Sequence, residues 1–214
     1  GVITYTVIGT DLNGCQNNDQ VDVTVYALPT IDAGLDQVIC DGASVTLSGN
    51  GGNVYIWDNG VNDGIAFSPI VGTVTYTVIG TDGNGCSNSD QVDVTVNPLP
   101  IVDTGIDQQL CNGNQVTLNG AGATMYAWDN GVVDGVPFSS PNGIVTYTVV
   151  GTDVHGCQNT DQVDVWIYAL PNVVAGVDVE VCEETAVTLN GAGANAYVWS
   201  GGVTNGVPFI PVVG

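Results

Sequence analysis

The chain of 214 residues has no lysine, no arginine and a single histidine, His155. That absence excludes several kinds of chemistry before any motif is read. Nucleic-acid binding rests on Lys and Arg displacing counterions from phosphates, and a formal net charge of −22 opposes it. Anionic membranes and acidic polysaccharides are repelled by the same field. A Schiff-base lysine, an arginine clamp and the lysine of a phosphate-binding loop have no residue to supply them. Lys–Asn isopeptide crosslinks are excluded in the same way, and trypsin has no place to cut, whether the chain is folded or not. No run of 18 or more apolar residues occurs, so no membrane insertion by a helix is expected. No Asn-x-Ser/Thr sequon is present, which argues against N-linked glycan attachment. No signal peptide is visible. The opening Gly1-Val2-Ile3-Thr4 reads as strand interior, so the sequence is expected to be a window of something longer.

What is present points to a folded β protein. Hydrophobic residues make up 44% of the chain and alternate with polar ones, which separates it from highly charged disordered sequences. The 22 acidic residues sit mostly at turns and outward strand positions, a solvated coat that keeps long filaments soluble and mutually repelling.

The chain repeats itself. Thr4-Tyr5-Thr6-Val7 returns as Thr75-Tyr76-Thr77-Val78 and as Thr146-Tyr147-Thr148-Val149, a period of about 71 residues. The same shift carries Trp57 onto Trp128 and Trp199, and Phe67 onto Phe138 and Phe209. Cys15 maps onto Cys86 and Cys157, and Cys40 onto Cys111 and Cys182. Prolines at Pro29, Pro98, Pro100 and Pro171 interrupt the strand pattern, because proline lacks the N–H that a sheet ladder needs. Boundaries are therefore expected there. Residues 27–97 and 98–168 read as complete units, 1–26 as the C-terminal part of one unit and 169–214 as the N-terminal part of another. Short proline-bearing linkers predict a semi-rigid rod.

Within 27–97 the hydrophobic alternation has a period of two. Val45 and Leu47 share a face, as do Tyr55 and Trp57, then Val74, Tyr76 and Val78, then Val92, Val94 and Val96. Asp58-Asn59-Gly60 and Asp82-Gly83-Asn84-Gly85 read as turns, since Asn and Gly tolerate positive φ. Six or seven short strands in each repeat and no helix predict an all-β fold, tandem Ig-like β-sandwich domains.

Two cysteines per repeat predict a disulfide framework in an oxidising compartment. Zinc is disfavoured because its cysteines come a few residues apart, whereas the gaps here are 25 and 46. If each domain closes its own bond, Cys40 pairs with Cys86 and Cys111 with Cys157, one disulfide per domain. Cys15 and Cys182 are then left for adjacent repeats or chains. The other pairing crosses the proline linkers: Cys15–Cys40, Cys86–Cys111 and Cys157–Cys182. A domain this small buries only about 60% of its unfolded surface. Closing a loop of about 46 residues could add roughly 4 kcal/mol.

Thr75-Tyr76-Thr77-Val78-Ile79-Gly80-Thr81-Asp82-Gly83-Asn84-Gly85-Cys86, followed by Asp90-Gln91-Val92-Asp93-Val94-Thr95-Val96, resembles the closing segment of Ig-like and PKD-like repeats. Leu99-Pro100 through Cys111 resembles the start of such domains. Those repeats belong to large secreted surface proteins of Bacteroidota, including SprB-type gliding-motility adhesins. The resemblance covers all three periods and implies export to the cell surface by type IX secretion.

Several other residues invite a chemical reading. His155 replaces Asn13 and Asn84 at a turn position and has no recurring Ser or Cys partner, so catalysis is not expected. Asp32, Asp36, Asp103 and Asp107 near the domain joints are weak calcium candidates, with Asp11, Asp82 and Asp153 opening tight turns. Calcium wants six to eight oxygens, and no full twelve-residue loop ending in Glu occurs. Trp166 stands where Thr24 and Thr95 stand in the other periods. It reads as a packing contact with a neighbouring domain or chain, or else as a place for a surface glycan. The sequence thus predicts a non-enzymatic, extracellular structural protein, a stiff fibre or adhesin stalk without cofactor. Its partners are neighbouring repeats or copies of itself. The rival readings are a filament subunit polymerised by strand complementation of its split terminal domains, and a calcium- or glycan-binding module.

Overall fold

The structure, a computed structural model, describes residues 1–212. The chain opens with a hairpin of β1 (Val2–Thr10) and β2 (Gln16–Thr24), paired antiparallel from Val2↔Thr24 to Thr10↔Gln16. Six strands follow: β3 (Gln37–Cys40), β4 (Val45–Thr46), β5 (Val54–Trp57), β6 (Ala66–Phe67), β7 (Gly72–Thr81) and β8 (Ser87–Asn97). The next period supplies β9 (Gln108–Cys111), β10 (Met125–Trp128), β11 (Gly143–Thr152) and β12 (Gln158–Tyr168). No α-helix occurs among the described residues, and none is long and apolar enough to cross a membrane. A 3-10 turn covers Ser200–Gly202.

The strands assemble by the predicted alternation. One sheet has the order β3-β8-β7-β5, faced by the short pair β4-β6. A second four-stranded sheet has the order β10-β11-β12-β9, faced by the bridge Val116↔Phe138. These are the layers of an Ig-like β-sandwich. Every second residue in the latter half of β8 is buried, Val92, Val94 and Val96, and meets Val45, Leu47, Trp57, Tyr76 and Val78 in one core. Val116, Leu118, Tyr147, Val163, Val165 and Ile167 form the equivalent core in the second sheet. In each core a phenylalanine packs edge-on to a tyrosine, Phe67 on Tyr76 at 5.3 Å and Phe138 on Tyr147 at 5.2 Å. Such edge-to-face geometry is the favoured one for aromatic pairs.

Gly80 lies where neighbouring side chains pack close to the strand backbone. A Cβ there would strike the side chains of Ile31 and Tyr55, whereas one at Gly9, the equivalent position in β1, would meet open space.

One pairing escapes the alternation pattern. β3 runs parallel to β8, Gln37 opposite Val94 and Cys40 opposite Asn97. β9 runs parallel to β12 in the same way, with Cys111 opposite Tyr168. The opening strand of each sheet thus lies beside its closing strand and points the same way.

The described chain divides into two compact units. The first comprises Gly1–Ile101, Ala123–Met125 and Gly151–Asn159; the second comprises Val102–Gly122, Tyr126–Val150 and the chain from Thr160 on. The first unit therefore includes the tip of the β11–β12 hairpin.

Candidate functional site

The tip of each long hairpin is built by one aspartate. Asp82 Oδ1 accepts the backbone N–H groups of Asn84 and Cys86, both at 2.9 Å. Asp11 does the same for Asn13 and Cys15, and Asp153 for His155 and Cys157. This is an Asx turn, in which the short carboxylate takes backbone donors a few residues on. The Cys86 N–H, with that of Asn84 behind it, holds Asp82 below the usual carboxylate range against the opposing effect of desolvation. Asp11 is lowered likewise, by Cys15 first and then Asn13. In each tip the turn fixes the cysteine at the root of the second strand.

Cys157 is fully buried within the first unit and disulfide-bonded to Cys40, with their Cα atoms 5.5 Å apart. This corrects the expected pairing of Cys40 with Cys86 and of Cys111 with Cys157. The reason is the parallel pairing. Cys40 lies at the Asn97 end of β8, while Cys86 precedes Ser87 at its other end. Eleven residues of strand at about 3.3 Å each put the two cysteines roughly 35 Å apart, and a disulfide needs Cα atoms within about 7 Å. The same geometry separates Cys111 from Cys157 along β12. The bond therefore takes one cysteine from each of two consecutive periods, not two from one. Cys15, Cys86, Cys111 and Cys182 carry free thiols, and all but the half-buried Cys86 are exposed.

A second recurring feature was missed in the sequence. Trp57 Nε1–H donates to Asp63 Oδ1 at 2.8 Å, and the same oxygen accepts the Gly49 N–H at 2.7 Å. Trp128, Asp134 and Gly120 repeat this set, as do Trp199, Asn205 and Gly191. The signal was available: an Asp or Asn stands six residues after each core tryptophan.

Further clips recur. Asp90 accepts the Ala33 N–H at 2.8 Å, and Asp161 accepts the Thr104 N–H and hydroxyl, each at 2.9 Å. Both carboxyls are held below the usual range, Asp90 chiefly by Ala33 and Asp161 chiefly by the Thr104 N–H. Asn88 and Asn159 donate side-chain N–H groups to the carbonyls of Pro29 and Pro100, each at 3.0 Å.

The calcium candidates are not brought together. Asp32 and Asp103 accept the N–H groups of Gly34 and Gly105, while Asp36 and Asp107 accept those of Asp93 and Asp164. Among the described residues no three His, Cys, Asp or Glu side chains converge as metal ligands. His155 is exposed at the tip of its turn. Trp166 finds its partner within its own strand: its ring stacks on Tyr168 at 4.9 Å, and both are 40% exposed. Asp107, Gln108, Gln109, Ile144 and Asp164 line a shallow hollow of about 270 Å³ beside Trp166.

Two faces stand open. In the β1–β2 hairpin every residue is exposed. Tyr5 and Val7 are 54% and 66% exposed, where Tyr76 and Val78 are 5% and 0%. At the other end Val187, Leu189, Trp199 and Phe209 are only half-buried and line a hollow of about 300 Å³. A second hollow of about 400 Å³ adjoins it through Trp199 and Ala175.

No protein-family profile matches the chain, and no curated protein matches it. Several solved structures do. The eight N-terminal Ig domains of Down Syndrome Cell Adhesion Molecule are 13% identical with a TM-score of 0.34, covering 91% of this chain and 36% of that one. An I-band fragment of titin is 13% identical with a TM-score of 0.34, covering 78% of this chain and 77% of that one. The tandem Ig repeats of Dlar are 17% identical with a TM-score of 0.26, covering 67% and 100%. Likeness at this level carries no argument of its own. The chain is all-β and Ig-like, as its sheets already establish.

Proposed function

We propose that the chain is a structural, non-enzymatic part of an extracellular surface fibre or adhesin stalk, made of tandem units each one period long. In this reading 27–97 and 98–168 are complete Ig-like units, and 1–26 and 169–214 are parts of two more. The observation that carries it is the recurrence of one contact set at that period. The Trp–Asp acceptor, the Phe–Tyr pair and the two clips on Asp90 and Asn88 all return one period on. The Cys40–Cys157 bond is a second support, since it ties consecutive periods covalently and fits an oxidising compartment.

Electron microscopy of the oxidised protein tests the stalk. Extended particles are expected, and compact globules would refute it. The resemblance to Bacteroidota surface repeats supports display on the cell surface through type IX secretion. Antibody labelling of intact cells checks this, and antigen confined to the cell interior would contradict it.

A specific observation favours self-assembly as a second reading. The open hairpin carries the residues that the open C-terminal half lacks, so each end of one chain can complete the other end of another by strand addition. Sedimentation of the purified chain distinguishes it from a stalk of separate monomers.

A further inference from the structure

The Cys40–Cys157 bond joins the cysteine that ends an opening strand to the turn cysteine one period further on. The tip carrying Cys157, Gly151–Asn159, belongs to the compact unit that contains Cys40. Because the cysteines recur with the period of the chain, the same rule assigns Cys111 a turn cysteine one period beyond Cys157, and Cys182 another one period beyond that. A second copy supplies both when its hairpin completes residues 169–214. Its tip Gly9–Asn17 then falls one period beyond Gly151–Asn159, and its Cys15 takes the position opposite Cys111. Its Cys86 takes the position opposite Cys182. Every cysteine of the chain then has one partner.

The open faces fix the same alignment independently. Tyr5 corresponds to Tyr76 and Tyr147, which sit edge-on to Phe67 and Phe138, so Tyr5 of the second copy meets Phe209. Val7, Val21 and Val23 of that copy cover Val187, Leu189 and Trp199, as Val78, Val92 and Val94 cover Val45, Leu47 and Trp57. Gly9 leaves room for Val173, as Gly80 does for Ile31.

We infer that Cys40–Cys157 is one rung of a staggered disulfide ladder, and that Cys111 and Cys182 bond to Cys15 and Cys86 of a second copy of this chain. The inference rests on the self-assembly reading and adds the covalent register to it. Each new bond takes two electrons and two protons from two thiols. A low-molecular-weight disulfide such as oxidised glutathione accepts them and is reduced to two thiols.

The experiment mixes equal amounts of isotopically labelled and unlabelled chain with oxidised glutathione. The product is run without reductant and then digested with chymotrypsin, since Tyr26, Trp57, Leu110, Trp128 and Trp166 separate the cysteines. The expected result is a denaturant-resistant ladder of multimers with Cys15–Cys111 and Cys86–Cys182 peptides of mixed label. Cys15→Ser leaves one bond per junction and keeps the ladder, whereas Cys15→Ser with Cys86→Ser abolishes it. Any other pairing, such as Cys86–Cys111 or Cys15–Cys15, overturns the register. Multimers in sedimentation whose four cysteines stay free overturn the ladder and leave self-assembly standing. Monomers under every condition overturn both.

Discussion

Residues 37–40 and 179–182 occupy the same place in the period, and so do 54–57 and 196–199. The first of each pair is a strand, β3 or β5; the second is not. The difference is not in local sequence, since Val179-Glu180-Val181-Cys182 and Ala196-Tyr197-Val198-Trp199 suit a strand well enough. β3 and β5 are strands because β8 and β7 lie beside them. Contacts local to the opening half form in both places: the bridges Asp32↔Asn50 and Val174↔Ala192 are both present, and so is Val187↔Phe209. Strand character here is a property of the pair. An isolated two-stranded hairpin such as β1–β2, with its apolar face in water, is marginal by itself.

The comparison can be broken most forcefully at the cysteines. Cys40→Ser with Cys157→Ser removes a bond closing 117 residues and should cost up to about 4–5 kcal/mol in the chain-entropy account. Cys111→Ser with Cys182→Ser should leave the isolated chain unchanged. Denaturant unfolding of both double variants reads the difference, and equal loss would sink it.

Next come the cores. Leu118, 1% exposed, should cost about 2–5 kcal/mol on change to Ala, and half-buried Leu189 less than about 1.5 kcal/mol. If Leu189→Ala matched Leu118→Ala, the face around Leu189 would be as closed as the core around Leu118.

Asp63→Ala strands the buried Trp57 N–H and should cost about 1–3 kcal/mol. Asp63→Asn should be tolerated, because Asn205 already accepts the equivalent bond from Trp199. Thermal unfolding of the two variants separates the outcomes.

Acid should act through Asp90 and Asp161. Both are lowered in the folded state, so the unfolded chain binds their protons first as pH falls below about 4. Their stabilisation is full above that pH and is lost as pH drops through the folded values. Asp90→Asn should flatten this acid limb of a stability–pH curve. An unaltered limb would show that the Ala33 clip carries no linkage.

The smallest effect is expected at Trp166→Thr. The residue is 40% exposed, so stability should move by no more than about 0.5 kcal/mol. A glycan array comparing the two proteins would show whether the Trp166–Tyr168 stack binds sugar.

Much of this fold was legible beforehand. The alternation Val92, Val94, Val96 marks β8 and its buried face, and the recurrence of Trp57, Phe67 and Tyr76 marks the core. The disulfide pairing was not legible, because alternation reports which face a residue takes and says nothing of strand direction. Placing Cys40 beside Cys86 requires β3 to run opposite to β8, and it runs parallel. In the sequence alone Asp36 and Asp107 are at most weak calcium candidates near a joint. Each accepts a backbone N–H in the structure, from Asp93 and Asp164, a partner that alternation alone does not reveal.

The parallel register of β3 against β8 also decides how the molecule bears load. Tension applied at the two ends of residues 37–97 draws these strands past each other along their common axis. The ladder from Gln37↔Val94 to Cys40↔Asn97 is then sheared as a set, rather than peeled one bond at a time. Single-molecule pulling should register this as one abrupt rupture per unit, and gradual yielding at low force would contradict it. A tether built on such joints fails in discrete steps and stays taut between them.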